Sequence, residues 1–172
     1  MSNNEPLQTL QALAVATLQS RQGKIMICGN GGSAAQAGHF AAELVGTFGD
    51  RTRRPLACIN LAGDPALLTA IANDHGYPQT FIRQVRALGK PGDLLIGLST
   101  SGRSVNVLNA IDWAAVNGLQ TAMIGGNTIA GLPLPNTLLL ACPMETNVAG
   151  IQEWTLQQLH ALAGYIDGYL ME

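Results

Sequence analysis

The sequence predicts an α/β fold: a doubly wound, five-stranded parallel sheet flanked by helices in three layers, flavodoxin-like, with an N-terminal helix added. Three observations carry that prediction. Short β-rich runs alternate with longer helical patterns from about residue 24 onward. Most of those runs are continuously apolar, as expected of strands covered on both faces. No linker, low-complexity stretch or internal repeat divides the 172 residues, a length that suits one domain.

The elements follow in chain order. Leu7, Leu10, Ala14 and Leu18 fall on one helical face, which predicts a packing helix within residues 1–22 ahead of a domain at 23–172. Strands are expected at 24–29, 56–61, 93–99, 119–125 and 136–142. Helical patterns occupy 33–47, 65–72 with 80–88, 103–117, a short 128–131, and 148–170. Alternation of this kind implies right-handed crossovers.

Composition narrows the function. Hydrophobic residues make up 47% and charged residues 12%, too little charge to cover the surface, so self-association is expected. A net charge of -2 provides no basic face for nucleic acid. Arg51, Arg53 and Arg54 form a compact basic cluster that reads either as a solvated turn before a strand or as a contact for an anionic substrate. Cys28, Cys58 and Cys142 show no pair-like or metal-like spacing and sit in apolar runs, as small buried hydrophobes of a reducing compartment. No apolar run approaches the roughly 18 residues that span a bilayer, and residues 1–6 lack a positive leader region. A soluble, cytoplasmic protein without a membrane partner is the expectation.

Two loops carry the chemistry. After the first strand, Gly29-Asn30-Gly31-Gly32-Ser33 leads into a helix, with Ser33 placed as its N-cap. Glycines permit close backbone approach, and exposed N–H groups at a helix start favour an anion. The pattern lacks both the dinucleotide G-x-G-x-x-G and the P-loop Lys. After the third strand, Ser99-Thr100-Ser101-Gly102-Arg103-Ser104 offers four hydroxyls, with Arg103 as a possible cation. A Ser-rich turn capped by Ser101 or Ser104 explains one such loop. Two of them at the carboxyl ends of parallel strands point to a small phosphorylated ligand.

The helices add a metal-like pattern. His39 and Glu43, four residues apart, share one helical face about 6 Å apart along the axis. Gln152 and His160 lie eight apart, about 12 Å of rise and roughly 80° of rotation, a spacing that does not by itself define a metal site. Asn73-Asp74-His75-Gly76 suits a helix-terminating turn.

These residues resemble a known family. Residues 28–35 with 39–44, 68–74, 92–102, and Ile151-Gln152-Glu153 followed by His160 are similar to the sugar isomerase (SIS) domain of bacterial phosphoheptose isomerases, over about residue 23 to the C-terminus. The resemblance implies an enzyme converting sedoheptulose 7-phosphate to D-glycero-D-manno-heptose 7-phosphate, for lipopolysaccharide or other heptose-containing glycans. It also implies one zinc per subunit on His39, Glu43, Gln152 and His160, with Glu43 as base and His160 as acid. Asn30, Gly31, Gly32, Ser33, Ser99, Thr100, Ser101 and Ser104 would then hold the phosphate end. Asn73, Asp74 and Gln152 would line the sugar. A homotetramer with sites at subunit contacts is implied as well.

The chemistry matches those residue types. Moving a proton between C1 and C2 through an enediol or enediolate needs a carboxylate base, a second acid/base group, and positive charge near the oxygens. The chain departs from the family pattern at Thr47 and Gly150, where cations are usual, at Arg103, where Asn is usual, and at Gly126-Asn127-Thr128, where Asp-Gly-Gly is usual. Two other readings follow. One is an isomerase of a different ketose phosphate. The other is a non-catalytic tetrameric SIS adaptor similar to the DnaA initiator-associating protein, a type expected to lack the counterparts of Glu43 and His160.

Overall fold

The computed structural model describes residues 5–20 and 22–170, so most of the stretch read at residues 1–6 lies outside the described residues. Among the described residues, five strands form one all-parallel sheet in the order β2-β1-β3-β4-β5. They are β1 Ile25–Gly29, β2 Cys58–Asn60, β3 Leu94–Ser99, β4 Gln120–Gly125 and β5 Thr137–Ala141. The helices are α1 Glu5–Gln19, α2 Gly32–Val45, α3 Pro65–His75, α4 Ile82–Leu88, α5 Val105–Val116 and α6 Val148–Tyr169. Short 3-10 turns span Tyr77–Gln79 and Asn127–Gly131.

The continuous apolar runs make the central strands. All of β1 and β3 is buried. Ile25, Ile27, Leu94 and Ile96 turn to one face, where α1, α2 and α6 pack. Met26, Cys28 and Leu95 turn to the other, under Val85 of α4 and Val107 and Ile111 of α5. Each fully buried aliphatic side chain contributes roughly 1.5–3 kcal/mol. A Cβ at Gly97 would lie 2.7 Å from Val107 Cγ1, so that glycine lets α5 approach β3. The N-terminal helix belongs to the first layer through Leu7, Leu10, Ala14 and Leu18.

Element ends differ from the sequence expectation. The third helix runs on to His75 and stops at Gly76, whose φ of 86° suits glycine. Strand β2 keeps only three paired residues at the sheet edge. The predicted helix at 80–88 begins at Ile82, and that at 103–117 begins at Val105. All three cysteines are free and buried, and burial pushes the Cys28 and Cys58 thiols up to about 12. Among the described residues no helix is long and apolar enough to cross a membrane.

The topology places the site. Strand order reverses between β1 and β3, whose ends pair Gly29 with Leu98. In open α/β sheets ligands bind at the carboxyl ends of strands beside such a reversal. Both Gly/Ser loops leave the sheet there.

Candidate active site

The first loop is shaped by glycine. Gly31, at φ 54°, takes the N-cap position of α2 without a side-chain cap. Ser33 is therefore not the cap that the sequence suggested. It lies buried in the first turn, its amide donating to the Asn30 carbonyl at 3.0 Å. A Cβ on Gly29 would meet Ser33 Cβ at 2.8 Å and Leu98 Cβ at 3.1 Å, so the end of β1 packs too closely against the start of α2 and against β3 for a side chain.

The second loop is tied internally. Ser99 Oγ donates to Ser104 Oγ at 3.1 Å and accepts from the Gly102 amide at 3.1 Å. Ser101 Oγ accepts from the Arg103 amide at 3.2 Å, and Thr128 Oγ1 donates to the Ser101 carbonyl at 3.0 Å. The Gly126 amide donates to the Thr100 carbonyl at 3.1 Å. Ser104 stands at the N-cap position of α5, yet makes no side-chain capping bond. Its hydroxyl serves the loop instead.

A carboxamide pair bridges the loops. Asn30 and Asn106 exchange two hydrogen bonds of 2.9 Å. The Tyr77 hydroxyl donates to Asn30 Oδ1 at 2.7 Å, and Asn106 Nδ2 donates to Thr80 Oγ1 at 3.1 Å. Asn106, Tyr77 and Thr80 were not singled out from sequence. A buried Asn in the first turn of a helix leaves no periodic signal to find it by.

Three of the four expected metal-set side chains converge between α2 and α6. Glu43 Oε1 lies 3.0 Å from His39 Nε2 and 3.3 Å from His160 Nε2, and the two imidazole nitrogens are 3.0 Å apart. All three donor atoms lie within 4.8 Å of one another. Only one proton can sit between the two facing nitrogens, so at least one of them offers a lone pair. Glu43 Oε2 is buried with no hydrogen-bond partner. Two imidazoles and a carboxylate spaced at about 3 Å fit the donor separation around a tetrahedral ion with ligand distances of about 2.0–2.2 Å. The residues present suit a divalent transition metal.

The other candidates are placed as follows. The Gln152 carboxamide packs on Gly32, where a Cβ would fall on it. That is about 12 Å along α6 from His160, at the level of the Gly29–Ser33 loop. Asn73 donates to Asp74 Oδ1 at 2.8 Å in the exposed last turn of α3, without hydrogen bonds to the other candidates. Arg103 is exposed beside Thr100, Ser101, Thr128, Asn147 and Ile151, in a cleft of about 460 Å³. A second hollow of about 390 Å³ lies at the opposite end of the sheet, between α1 and residues 90–93, away from this chemistry.

A family model for the SIS domain matches residues 1–126. The phosphoheptose isomerase of Bordetella avium (strain 197N) is 43% identical over 171 residues, covering 98% of this chain and 85% of the relative. The chain belongs to the phosphoheptose isomerase family of SIS domains. Solved phosphoheptose isomerases agree in fold. That of Neisseria gonorrhoeae superposes with a TM-score of 0.85 at 40% identity, covering 95% of this chain and 86% of that one. That of Francisella tularensis gives 0.88 at 32% identity with the same coverage.

Within this phosphoheptose isomerase family member, two further features escape a sequence reading. Gln36 lies on the α2 stripe of Gly32, His39 and Glu43. Its Nε2 donates to the Gln152 carbonyl at 2.6 Å, while its Oε1 is buried without a partner. The 3.6-residue periodicity of that stripe is a signal that could have found it. The basic cluster is the second. Arg53 is buried and paired with Asp167, and Arg54 donates to the Leu18 carbonyl at 2.8 Å. Arg53 is neither part of a solvated turn nor free to bind an anionic substrate, since its guanidinium is committed to Asp167 and to backbone carbonyls. Burial on its own would raise the Asp167 carboxyl, but the Asp50 and Gly49 amides and the Arg53 guanidinium outweigh it and hold the group below its usual range.

Proposed function

We propose that this protein isomerises sedoheptulose 7-phosphate to D-glycero-D-manno-heptose 7-phosphate. The convergence of His39, Glu43 and His160 on a face that begins at the phosphate loop is the observation that supports this best. His39 is seven residues beyond Gly32, about 10 Å along α2. A seven-carbon sugar held by its phosphate at the loops reaches the triad along the α2–α6 face.

The loops bind the 7-phosphate through backbone amides and the hydroxyls of Ser33, Ser99, Thr100, Ser101 and Ser104. The Glu43 carboxylate takes the proton from C1 as the C1–H electron pair forms the C1–C2 double bond of the enediolate and the C2–O2 π pair moves onto O2. It then returns the proton to C2. His160 is the acid that relays the proton between O2 and O1. Atoms and electrons balance without any external oxidant. His39, Glu43 and His160 would hold zinc, while the Gln152 carboxamide, packed on Gly32, stands nearer the sugar, and when bound the ion would supply Lewis acidity to the substrate oxygens.

The helix within residues 1–22 serves as a packing element on the domain at 23–172, and the working unit is a cytoplasmic homotetramer. The test supplies sedoheptulose 7-phosphate to purified protein and follows aldose formation, before and after chelation. We expect turnover that is lost on chelation and regained with zinc. A wild-type protein inactive on a panel of ketose phosphates, and captured instead by a replication initiator, refutes the enzyme reading.

A further inference from the structure

We propose that Asp167 and Arg53 form a positioning pair that sets the separation of Glu43 and His160. The inference rests on the isomerase reading and adds two residues that touch neither substrate nor metal. Arg53 is 7% exposed, and its guanidinium forks onto four acceptors. Its Nε meets the Asp167 carboxylate. Its Nη1 donates to the carbonyls of Leu44 at 3.1 Å and Arg54 at 2.6 Å, and its Nη2 to the Glu43 carbonyl at 3.0 Å. The Glu43 and Leu44 carbonyls belong to the last turn of α2, where helical donors run out. Arg53 therefore fixes the turn that carries the base.

The same carboxylate reaches His160 by a second route. Asp167 Oδ2 accepts from the Gly49 and Asp50 amides at 2.8 and 3.0 Å. A Cβ on Gly49 would stand 3.3 Å from that oxygen, so the glycine permits the approach. These bonds hold the segment after α2 against α6, with the Phe48 ring 5.8 Å from the His160 ring at 33°. Asp167 follows His160 by seven residues, nearly two turns, and so shares its face of α6. One carboxylate holds Glu43 through Arg53 and His160 through Phe48. Stability alone does not require this, because apolar side chains can often replace a buried ion pair without loss.

The test measures zinc affinity by chelator competition, with kcat and KM on sedoheptulose 7-phosphate. The variants are Arg53→Lys, the double variant Arg53→Met with Asp167→Leu, and Phe48→Ala. Lysine brings a single compact charge and cannot serve four acceptors. Each variant is expected to lose about 10–100-fold in zinc affinity and in kcat, the size typical of losing an outer-shell partner. KM should stay within about 3-fold, since the phosphate loops are untouched. Phe48 is 41% exposed, so its variant folds even where the core variants do not. Wild-type zinc affinity and kcat in any folded variant overturn the proposal. A wild-type enzyme inactive on ketose phosphates overturns the functional reading instead, and the zinc titration still decides the pair.

Discussion

At the scale of single residues, the site depends on atoms with no slack. Gly29 is the clearest case among the loop residues. Its Cβ position is closed by Ser33 and Leu98, so Gly29→Ala forces the start of α2 and strand β3 away from β1. Overpacking of this kind costs about 1–3 kcal/mol. Thermal unfolding should show that loss, and an unchanged Tm would contradict the packing described. Cys28 makes the opposite kind of statement. Its thiol is buried and pushed up to about 12, so it stays protonated in the native protein at pH 8, where an unfolded thiol near 8.5 is partly ionised. Alkylation followed by mass spectrometry should leave Cys28 unmodified at pH 8 until denaturant is added. Rapid native labelling would show that the strand opens.

At the scale of elements, Asp167 ties α6 to the segment after α2, and the tie depends on pH. Its carboxyl is held below the ordinary carboxylate range, so the folded state prefers it ionised. The stabilisation is therefore fully present above the unfolded value of about 3.9 and is lost as pH falls through the depressed folded value. Asp167→Asn should be less stable than wild type at pH 7, with the gap closing below about pH 4. A gap that stays constant from pH 7 to pH 3 would contradict this assignment.

The element scale also shows what could be read from sequence. The apolar runs of β1 and β3 and the stripe of Leu7, Leu10, Ala14 and Leu18 were legible because burial on a sheet or helix face imposes a period. His39 and Glu43 were legible as a pair because four residues bring them to one face. His160 could not be joined to them from spacing, since α6 meets α2 only through the fold. The Asn30–Asn106 bridge and the Arg53–Asp167 pair link residues 76 and 114 positions apart. Hydrogen bonds at that separation leave no local pattern, and neither reading of the Arg51, Arg53 and Arg54 cluster anticipated a buried Arg53 paired with Asp167.

At the scale of the whole molecule, the low share of charge meets an exposed apolar strip. Val45 and Phe48, at and just beyond the end of α2, and Tyr165 and Tyr169 on α6 are each more than 40% exposed. Their exposure next to the triad is consistent with sites at subunit contacts, and light scattering should give four times the chain mass. A monomer at micromolar concentration would contradict the assembly. The central claim is that the face running from the Gly29–Ser33 loop to Glu43 is one catalytic surface, with binding at one end and proton transfer at the other. Comparing the metal-loaded wild type with Glu43→Gln on sedoheptulose 7-phosphate tests it most directly. Loss of the base should lower kcat by at least about 10²–10⁴-fold while the substrate still binds through its phosphate. A Glu43→Gln enzyme that keeps a tenth or more of wild-type turnover, on the order of 1.4 kcal/mol or less in barrier, would contradict the assignment of Glu43 as the base.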